Sequence, residues 1–257
     1  MARNPMLNEK AFRGAEGPEV NINGAEGLQL TSGYSAGIMT LQGTLNKTFL
    51  LLFICVLGSM ISWSNPMAWV TGLPYMGLIV AALVVGIITS VKPAISMITA
   101  PIYAFLEGLL LGGISSLYNT ASHGIVFQAV VTTILVFFVM LGIYRFKIIR
   151  VTNKVATVIS SATLAVVIFY AISLVLQLAG KDVAYFTSSS PLSIGLSVVI
   201  CLIAAANFLL DFNFIDRMTN QYTAPKYMEW YAGFGLLVTL IWLYIEVLRL
   251  LGKARSR

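Results

Sequence analysis

Seven apolar runs, each long enough to cross a bilayer, constrain this chain more than any other feature. A membrane-spanning helix needs about 20 mostly apolar residues, within a range of about 17–25. Charged residues, Pro, Asn or Gly bound each run. The runs cover residues 47–63, 73–91, 95–117, 124–144, 155–178, 192–214 and 228–251. This pattern predicts an all-α integral membrane protein, a bundle of seven transmembrane helices that contacts the lipid bilayer.

The composition excludes a water-soluble alternative. Hydrophobic residues make up 58% of the chain and charged residues 10%, whereas a soluble domain has about 25% charged residues. The net charge of +6 does not indicate nucleic-acid binding, because the basic residues collect at the ends of the apolar runs. That placement is typical of membrane proteins, whose cytoplasmic loops are rich in Lys and Arg.

The same charges predict an orientation and three regions. With a cytoplasmic N-terminus, the inside segments carry eleven Lys and Arg and the outside segments four. The strongest signal is the loop 145–154, which has four basic residues and no acid. We therefore expect a polar, disordered cytoplasmic tail over residues 1–46, a membrane domain over 47–252 and a basic tail over 253–257. The expected location is the cytoplasmic membrane of a bacterium.

Few residues offer the chemistry of an enzyme or a metal site. Cys55 and Cys201 lie in separate apolar runs, and His123 is the only histidine. Neither a zinc spacing nor a nucleophile motif is present. We expect no catalytic activity, no cofactor and no bound metal.

Acidic residues inside apolar runs are the main functional candidates. A charged group at the bilayer centre costs about 2.5–3.5 kcal/mol on insertion scales, so it usually faces a partner or a cavity. Glu107 lies near the middle of the third run, and Glu246 and Arg249 are three residues apart on the last run. A contact of Arg249 with either acid would lower the cost of burial. These contacts fit a helix-locking pair and a role in ion passage equally well.

Two further acids lie near the predicted helix ends. Asp211 closes the sixth run, and Asn207 precedes it by one helical turn on the same face. A carboxylate with amide neighbours can coordinate a hard cation or, when buried, hold a proton. The alternative is a helix end that reaches headgroups and water. Glu229 opens the last run, where the helix dipole favours an acid.

Three stretches resemble the Bax inhibitor-1 family, in a bacterial branch. They are the run from Ala100 to Ser115, the segment Leu210-Asp-Phe-Asn-Phe-Ile-Asp216, and the last helix from Lys226 to Gly252. The middle stretch is similar to the family's Asp-Phe-Asn-x-Ile motif and is the most specific of the three. The resemblance covers about residues 45–252. It implies a seven-helix bundle with the last helix near the centre.

The resemblance also implies a function. Better-studied relatives conduct a slow, pH-dependent calcium leak, in which an aspartate of the sixth helix and one of the seventh share a proton. Asp211 matches the first aspartate, whereas the place of the second falls at Thr239, or at Val238 with a shift of one residue. Arg249 matches the family's basic residue in the last helix, and Glu107 matches its acidic partner in the third. Glu229 or Glu246 would stand in for the missing aspartate, with Glu229 favoured by its depth.

Two functions remain open at the level of sequence. The first is a slow, pH-tuned calcium leak centred on Asp211, Glu107 and Arg249. The second is a non-conducting protein that binds and restrains a membrane protein, such as a protease or a stress-response partner, as other relatives do. A leak requires the acids to line a path for ions, whereas a binding protein requires an exposed recognition surface.

Overall fold

The computed structural model describes residues 37–256, apart from residues 71, 182, 184, 186, 187 and 223. This part of the chain forms seven long helices. A short helix, Pro66–Val70, precedes the second of them, and a 3-10 turn, Pro93–Ile95, precedes the third. The long helices are α1 (Leu41–Trp63), α2 (Gly72–Val91), α3 (Ser96–Ala121), α4 (Ile125–Arg145), α5 (Asn153–Leu178), α6 (Pro191–Asn220) and α7 (Met228–Arg255).

Several helices extend beyond the apolar runs that predicted them. α1 begins at Leu41, six residues earlier than expected, because the Thr40 hydroxyl accepts a hydrogen bond from the backbone N–H of Gly43 at 2.9 Å and caps the helix. α6 runs to Asn220 rather than residue 214, and α7 includes Lys253 and Arg255 of the predicted basic tail. Backbone hydrogen bonding continues through polar residues, so the end of an apolar run underestimates the helix. Residues 1–36 of the predicted disordered tail lie outside the described residues.

The helices have the length and composition of membrane spans. Six of the described helices are long and apolar enough to cross a membrane, and the apolar stretch Tyr75–Val91 of α2 is shorter. Large apolar side chains face outward, including Phe127 at 74% exposure and Leu202 at 65%. In water such exposure would be unfavourable, but in lipid it is expected. The predicted all-α membrane bundle is confirmed.

Contacts between helix termini define two ends of the bundle. At the end we call the Thr40 end, Thr40 before α1 contacts Glu229 in α7, and the Ser96 hydroxyl of α3 donates to the Tyr227 carbonyl at 3.4 Å. At the opposite end, the Arg255 end, Arg255 of α7 donates to the His123 carbonyl in the α3–α4 connection at 2.9 Å. Consecutive long helices therefore alternate in direction, and α7 reaches from one end of the bundle to the other.

The last helix is the centre of the fold. In its most apolar 18-residue window 61% of residues are buried, against 44% or less in the other five spans. α7 packs on α1, α3, α4 and α6. One apolar cluster includes Phe208, Phe212 and Leu236, and a second, on the α1–α3 side, includes Tyr103 and Phe234. The implied central position of the last helix agrees with this packing.

Glycines bring α1 and α3 into backbone contact. A Cβ placed on Gly108 would lie 2.2 Å from the Cys55 carbonyl oxygen, and one on Gly112 would lie 2.1 Å from that of Ser59. Glycines four residues apart allow such an approach in membrane helices. This contact fixes the face of α3 that carries Glu107 relative to α1.

Candidate functional site

A line of buried polar side chains follows the contact between α6 and α7. On α7 its members are seven residues apart, so they share one face of the helix. Each member is at most 6% exposed. We call this set the α6–α7 polar stripe; it comprises Ser193, Ser197, Asn207 and Asp211 on α6 and Thr239, Glu246 and Lys253 on α7.

Asp211 lies inside the bundle rather than at a helix end. Its side chain is fully buried, at 0% exposure, and α6 continues for nine residues beyond it, or about 13 Å. The interpretation of Asp211 as a solvated helix end is therefore wrong. Asp216 and Arg217, rather than Asp211, lie in the last turns of α6 near the Thr40 end.

Thr239 meets Asp211 from the central helix. Its hydroxyl donates a hydrogen bond of 2.6 Å to Asp211 Oδ2. Of the two positions that the resemblance offered for the second aspartate, the structure thus places Thr239 against Asp211. Thr239 therefore offers Asp211 a hydroxyl donor at this place.

Asn207 connects α6 to α5. Its side-chain nitrogen donates to the Thr163 hydroxyl at 2.8 Å and to the Ile203 carbonyl at 2.8 Å, and its oxygen lies 3.2 Å from the same hydroxyl. These contacts satisfy a buried amide within the packed helices. Asn207 is one turn from Asp211, as expected, but its amide is held by Thr163.

Glu246 and Arg249 form the most extensively bonded cluster of the bundle interior. Arg249 Nη1 lies 2.9 Å from both carboxylate oxygens of Glu246. The hydroxyls of Tyr170 and Tyr185 also donate to Glu246, that of Tyr185 at 3.1 Å, and Arg249 donates to the Tyr170 oxygen at 2.9 Å. Glu246 is 1% exposed. The predicted Glu246–Arg249 contact is present, and it also bonds α7 to α5 and to the connection before α6.

The stripe ends at Lys253, near the Arg255 end. Its ammonium donates to the Ser197 hydroxyl at 2.8 Å and lies 3.6 Å from the centre of the Tyr185 ring. Ser197 in turn donates to the Ser193 carbonyl at 3.1 Å. Lys253, which was assigned to the predicted basic tail, is thus a buried part of the helix contact.

Glu107 occupies the opposite side of the bundle, on α3. Its carboxyl interacts with the hydroxyl of Tyr103, one turn earlier on the same helix. Among the described residues it forms no ion pair, so the alternative Glu107–Arg249 contact is not formed. Glu107 lies within electrostatic range of Cys55 in α1 and is not part of the α6–α7 polar stripe.

Glu229 has a different partner from the one expected. Its Oε1 accepts hydrogen bonds from the backbone N–H of Thr40 at 3.1 Å and from the Thr40 hydroxyl at 3.0 Å. It lies ten residues before Thr239 on α7, which is about 15 Å along the helix. The structure does not bring Glu229 to Asp211. The Glu229 carboxylate caps the first turn of α1. Glu246, the other possible substitute for the second aspartate, is bonded to Arg249, Tyr170 and Tyr185, a set that we call the Arg249 cluster.

Sequence reasoning missed Tyr170, Tyr185 and Thr163 as polar partners. An aromatic or threonine side chain within an apolar run is typical of lipid-facing or core positions, so no motif marks these three. Lys253 did carry a signal, because it continues the seven-residue spacing of Thr239 and Glu246. The described residues contain no group of three His, Cys, Asp or Glu side chains that could hold a metal ion.

This fold is that of a multi-pass helical membrane protein with a central last helix. The sequence matches the family described as Bax inhibitor 1 like over residues 4–256. The chain therefore belongs to the Bax inhibitor-1 family. A search of curated proteins returns no match to this chain.

Proposed function

We propose that this protein is a slow, pH-dependent leak for cations, calcium among them, and has no enzymatic activity. The observation that carries the proposal is the fully buried carboxyl group of Asp211, bonded to the central helix through Thr239. The family membership supports it, since the matching position in relatives belongs to the pH-sensitive pair.

A buried carboxylate links cation binding to pH. Its negative charge is costly in a low-dielectric interior, so binding of a proton or of a cation stabilises it. The oxygens of Asp211 and Thr239 are hard ligands, of the kind that Ca²⁺ prefers. A proton and a calcium ion would therefore compete for Asp211, and this competition is the proposed origin of the pH dependence.

The other candidate residues take different roles in this proposal. Glu246 and Arg249 are each other's charged partner, and they lock α7 to its neighbours through the hydroxyls of Tyr170 and Tyr185. Glu229 caps α1, and Asn207 ties α6 to α5. Glu107, which forms no ion pair with a described residue, is the second proposed ion-facing acid.

We also propose that the N-terminus faces the cytoplasm of a bacterial cell and that the protein lies in its cytoplasmic membrane. The alternating helix directions put the loop 145–154 on the same side as the Thr40 end, and that loop carries four basic residues. Such a loop favours the cytoplasmic side. Cysteines introduced singly at Lys147 and at His123, in a background without Cys55 and Cys201, should react with a membrane-impermeant reagent from opposite sides.

Calcium flux into dye-loaded liposomes that contain the purified protein tests the leak. Flux above that of empty liposomes is expected, and it should change between pH 6 and pH 8. In Asp211→Asn, which cannot titrate, the pH response should be lost. The matched control is Asp216→Asn, on the same helix but near its end, where Asp216 accepts a hydrogen bond from Asn220; this variant should keep the response.

Two outcomes would overturn parts of the proposal. Flux with an unchanged pH response in Asp211→Asn would make Asp211 a structural residue. No flux at any pH would favour the second function, a non-conducting protein that binds and restrains a membrane partner.

Thr239→Asp adds the carboxylate that relatives have at this place, and it should alter the pH response if Asp211 is the sensor.

A further inference from the structure

A basic pocket opens at the Arg255 end of the bundle. Its volume is about 260 Å³, and its walls come from the last turns of α3 and α7, the start of α4 and the residues before α6. We call it the Arg255-end pocket. Its lining includes Tyr118, Ser122, Ser188, Ser189, Arg249, Lys253, Arg255 and Ser256.

The charge of the pocket is positive. Three lining residues, Arg249, Lys253 and Arg255, are cations, and none of the described lining residues is acidic. The ion pair with Glu246, one turn earlier on α7, neutralises Arg249. Lys253 and Arg255 form no ion pair with any described residue. The positive charges of Lys253 and Arg255 therefore lie at the pocket, and no carboxylate among the described residues neutralises them.

The two cations are held in place by neutral groups. Lys253 is 6% exposed, and its ammonium is fixed by the Ser197 hydroxyl and the Tyr185 ring. Arg255 donates to the His123 carbonyl at 2.9 Å and to Gln128 Oε1 at 2.8 Å. Fixed donors lose little conformational entropy when a ligand binds. This arrangement stabilises the cations without neutralising them.

Hydroxyl groups surround the cations. The pocket contains the serines 122, 188, 189 and 256 and the ring of Tyr118. Tyr118 packs so closely on Gly252 that a Cβ there would lie 2.7 Å from ring atom Cε1. Guanidinium, ammonium and hydroxyl donors around one cavity are the groups that bind phosphate oxygens.

We propose that the Arg255-end pocket binds a phosphate-bearing anion, either the headgroup of an anionic phospholipid or free phosphate. The pocket lies at an end of membrane-crossing helices, where lipid headgroups are found, and its guanidinium and ammonium groups are donors of the kind that bind phosphate oxygens. This binding is independent of ion conduction through the bundle.

Thermal unfolding of the purified protein in a neutral detergent tests the proposal. The three additions are short-chain phosphatidylglycerol, short-chain phosphatidylcholine and inorganic phosphate. Phosphatidylglycerol should raise the unfolding temperature more than phosphatidylcholine does. If inorganic phosphate alone reproduces the increase, the ligand is the free anion; if only phosphatidylglycerol does so, it is the lipid.

Variants identify the pocket as the place of binding. Arg255→Gln should weaken the apparent affinity about tenfold, the change expected when one charge-assisted contact is lost. The matched control Lys92→Gln removes an exposed cation from the Thr40 end and should bind as the wild type does. Ser256→Phe fills the pocket without a change of charge, so it should abolish binding, and it tests the pocket without a substitution of the buried Lys253.

Three results would overturn the proposal. The first is an unfolding temperature that none of the three additions changes. The second is equal stabilisation by both lipids that persists in Arg255→Gln and Ser256→Phe. The third is a loss of binding in Lys92→Gln as large as that in Arg255→Gln.

Discussion

Asp211 and Glu246 are both buried carboxyl groups of the α6–α7 polar stripe, yet their surroundings differ. Asp211 is 0% exposed and Glu246 is 1% exposed. Glu246 contacts a guanidinium and two tyrosine hydroxyls, whereas α7 offers Asp211 the hydroxyl of Thr239. A guanidinium neutralises a carboxylate, but a hydroxyl carries no charge.

This difference underlies the proposal that Asp211, and not Glu246, responds to pH. The charge of Glu246 is compensated at all ordinary pH values because arginine stays protonated. The bond from Thr239 can be made to a carboxylate, and a protonated Asp211 can still accept it through its other lone pairs. Thr239 can therefore donate to Asp211 in either protonation state, whereas Glu246 has a charged partner in Arg249.

The largest expected effect comes from breaking the Arg249 cluster. Arg249→Gln leaves the carboxylate of Glu246 buried without its cation, so the free energy of unfolding should fall by about 3–5 kcal/mol. Reversible unfolding in mixed detergent micelles measures this change. A loss below about 1 kcal/mol would mean that the pair behaves like a solvent-exposed one.

The double variant Glu246→Gln/Arg249→Gln is the control for this prediction. It removes both charges and keeps side chains of similar size. Because no uncompensated charge remains, its free energy of unfolding should exceed that of Arg249→Gln alone. The single variant Glu246→Gln completes the cycle. If the losses of the two single variants add up to the loss of the double variant, the residues do not interact energetically.

The number and the order of the helices could be predicted from the sequence, because a bilayer requires long apolar runs. Helix ends could not be read from the same signal. The segment from Asp211 to Asn220 contains Asn213, Asp216 and Arg217 and was interpreted as a helix end, yet its backbone stays helical. The alternative that Asp211 reaches headgroups and water depended on this helix end, whereas Asp211 lies more than two turns inside α6.

A smaller effect is expected where Thr239 meets Asp211. Thr239→Val keeps the shape of the side chain and removes the donor, so unfolding should become easier by about 1–3 kcal/mol. Thr239→Ser keeps the hydroxyl and is the matched control. If serine costs as much as valine, the methyl group of Thr239, rather than its hydrogen bond, stabilises the contact.

The site was predictable only where charge or a family motif marked it. Asp211, Glu246 and Arg249 stand out because a charge in an apolar run requires an explanation, and the resemblance placed Thr239 within one residue. Tyr170 and Tyr185 carry no charge, and their contact with Glu246 depends on how α5 and the following connection pack on α7. Such long-range packing cannot be deduced from the spacing along one chain.

The smallest expected effect comes from Tyr170→Phe. Glu246 keeps Arg249 and the Tyr185 hydroxyl, so the loss of one further donor should lower the free energy of unfolding by about 1 kcal/mol. The pH response of calcium flux should remain that of the wild type, whereas Thr239→Val should shift it, because Thr239 donates a hydrogen bond to the proposed sensor, Asp211, and Tyr170 bonds to Glu246 and Arg249 instead. Flux measured between pH 6 and pH 8 on both variants compares the two regions directly. A response lost in Tyr170→Phe and kept in Thr239→Val would reverse the assignment and make the Arg249 cluster the pH-sensitive region.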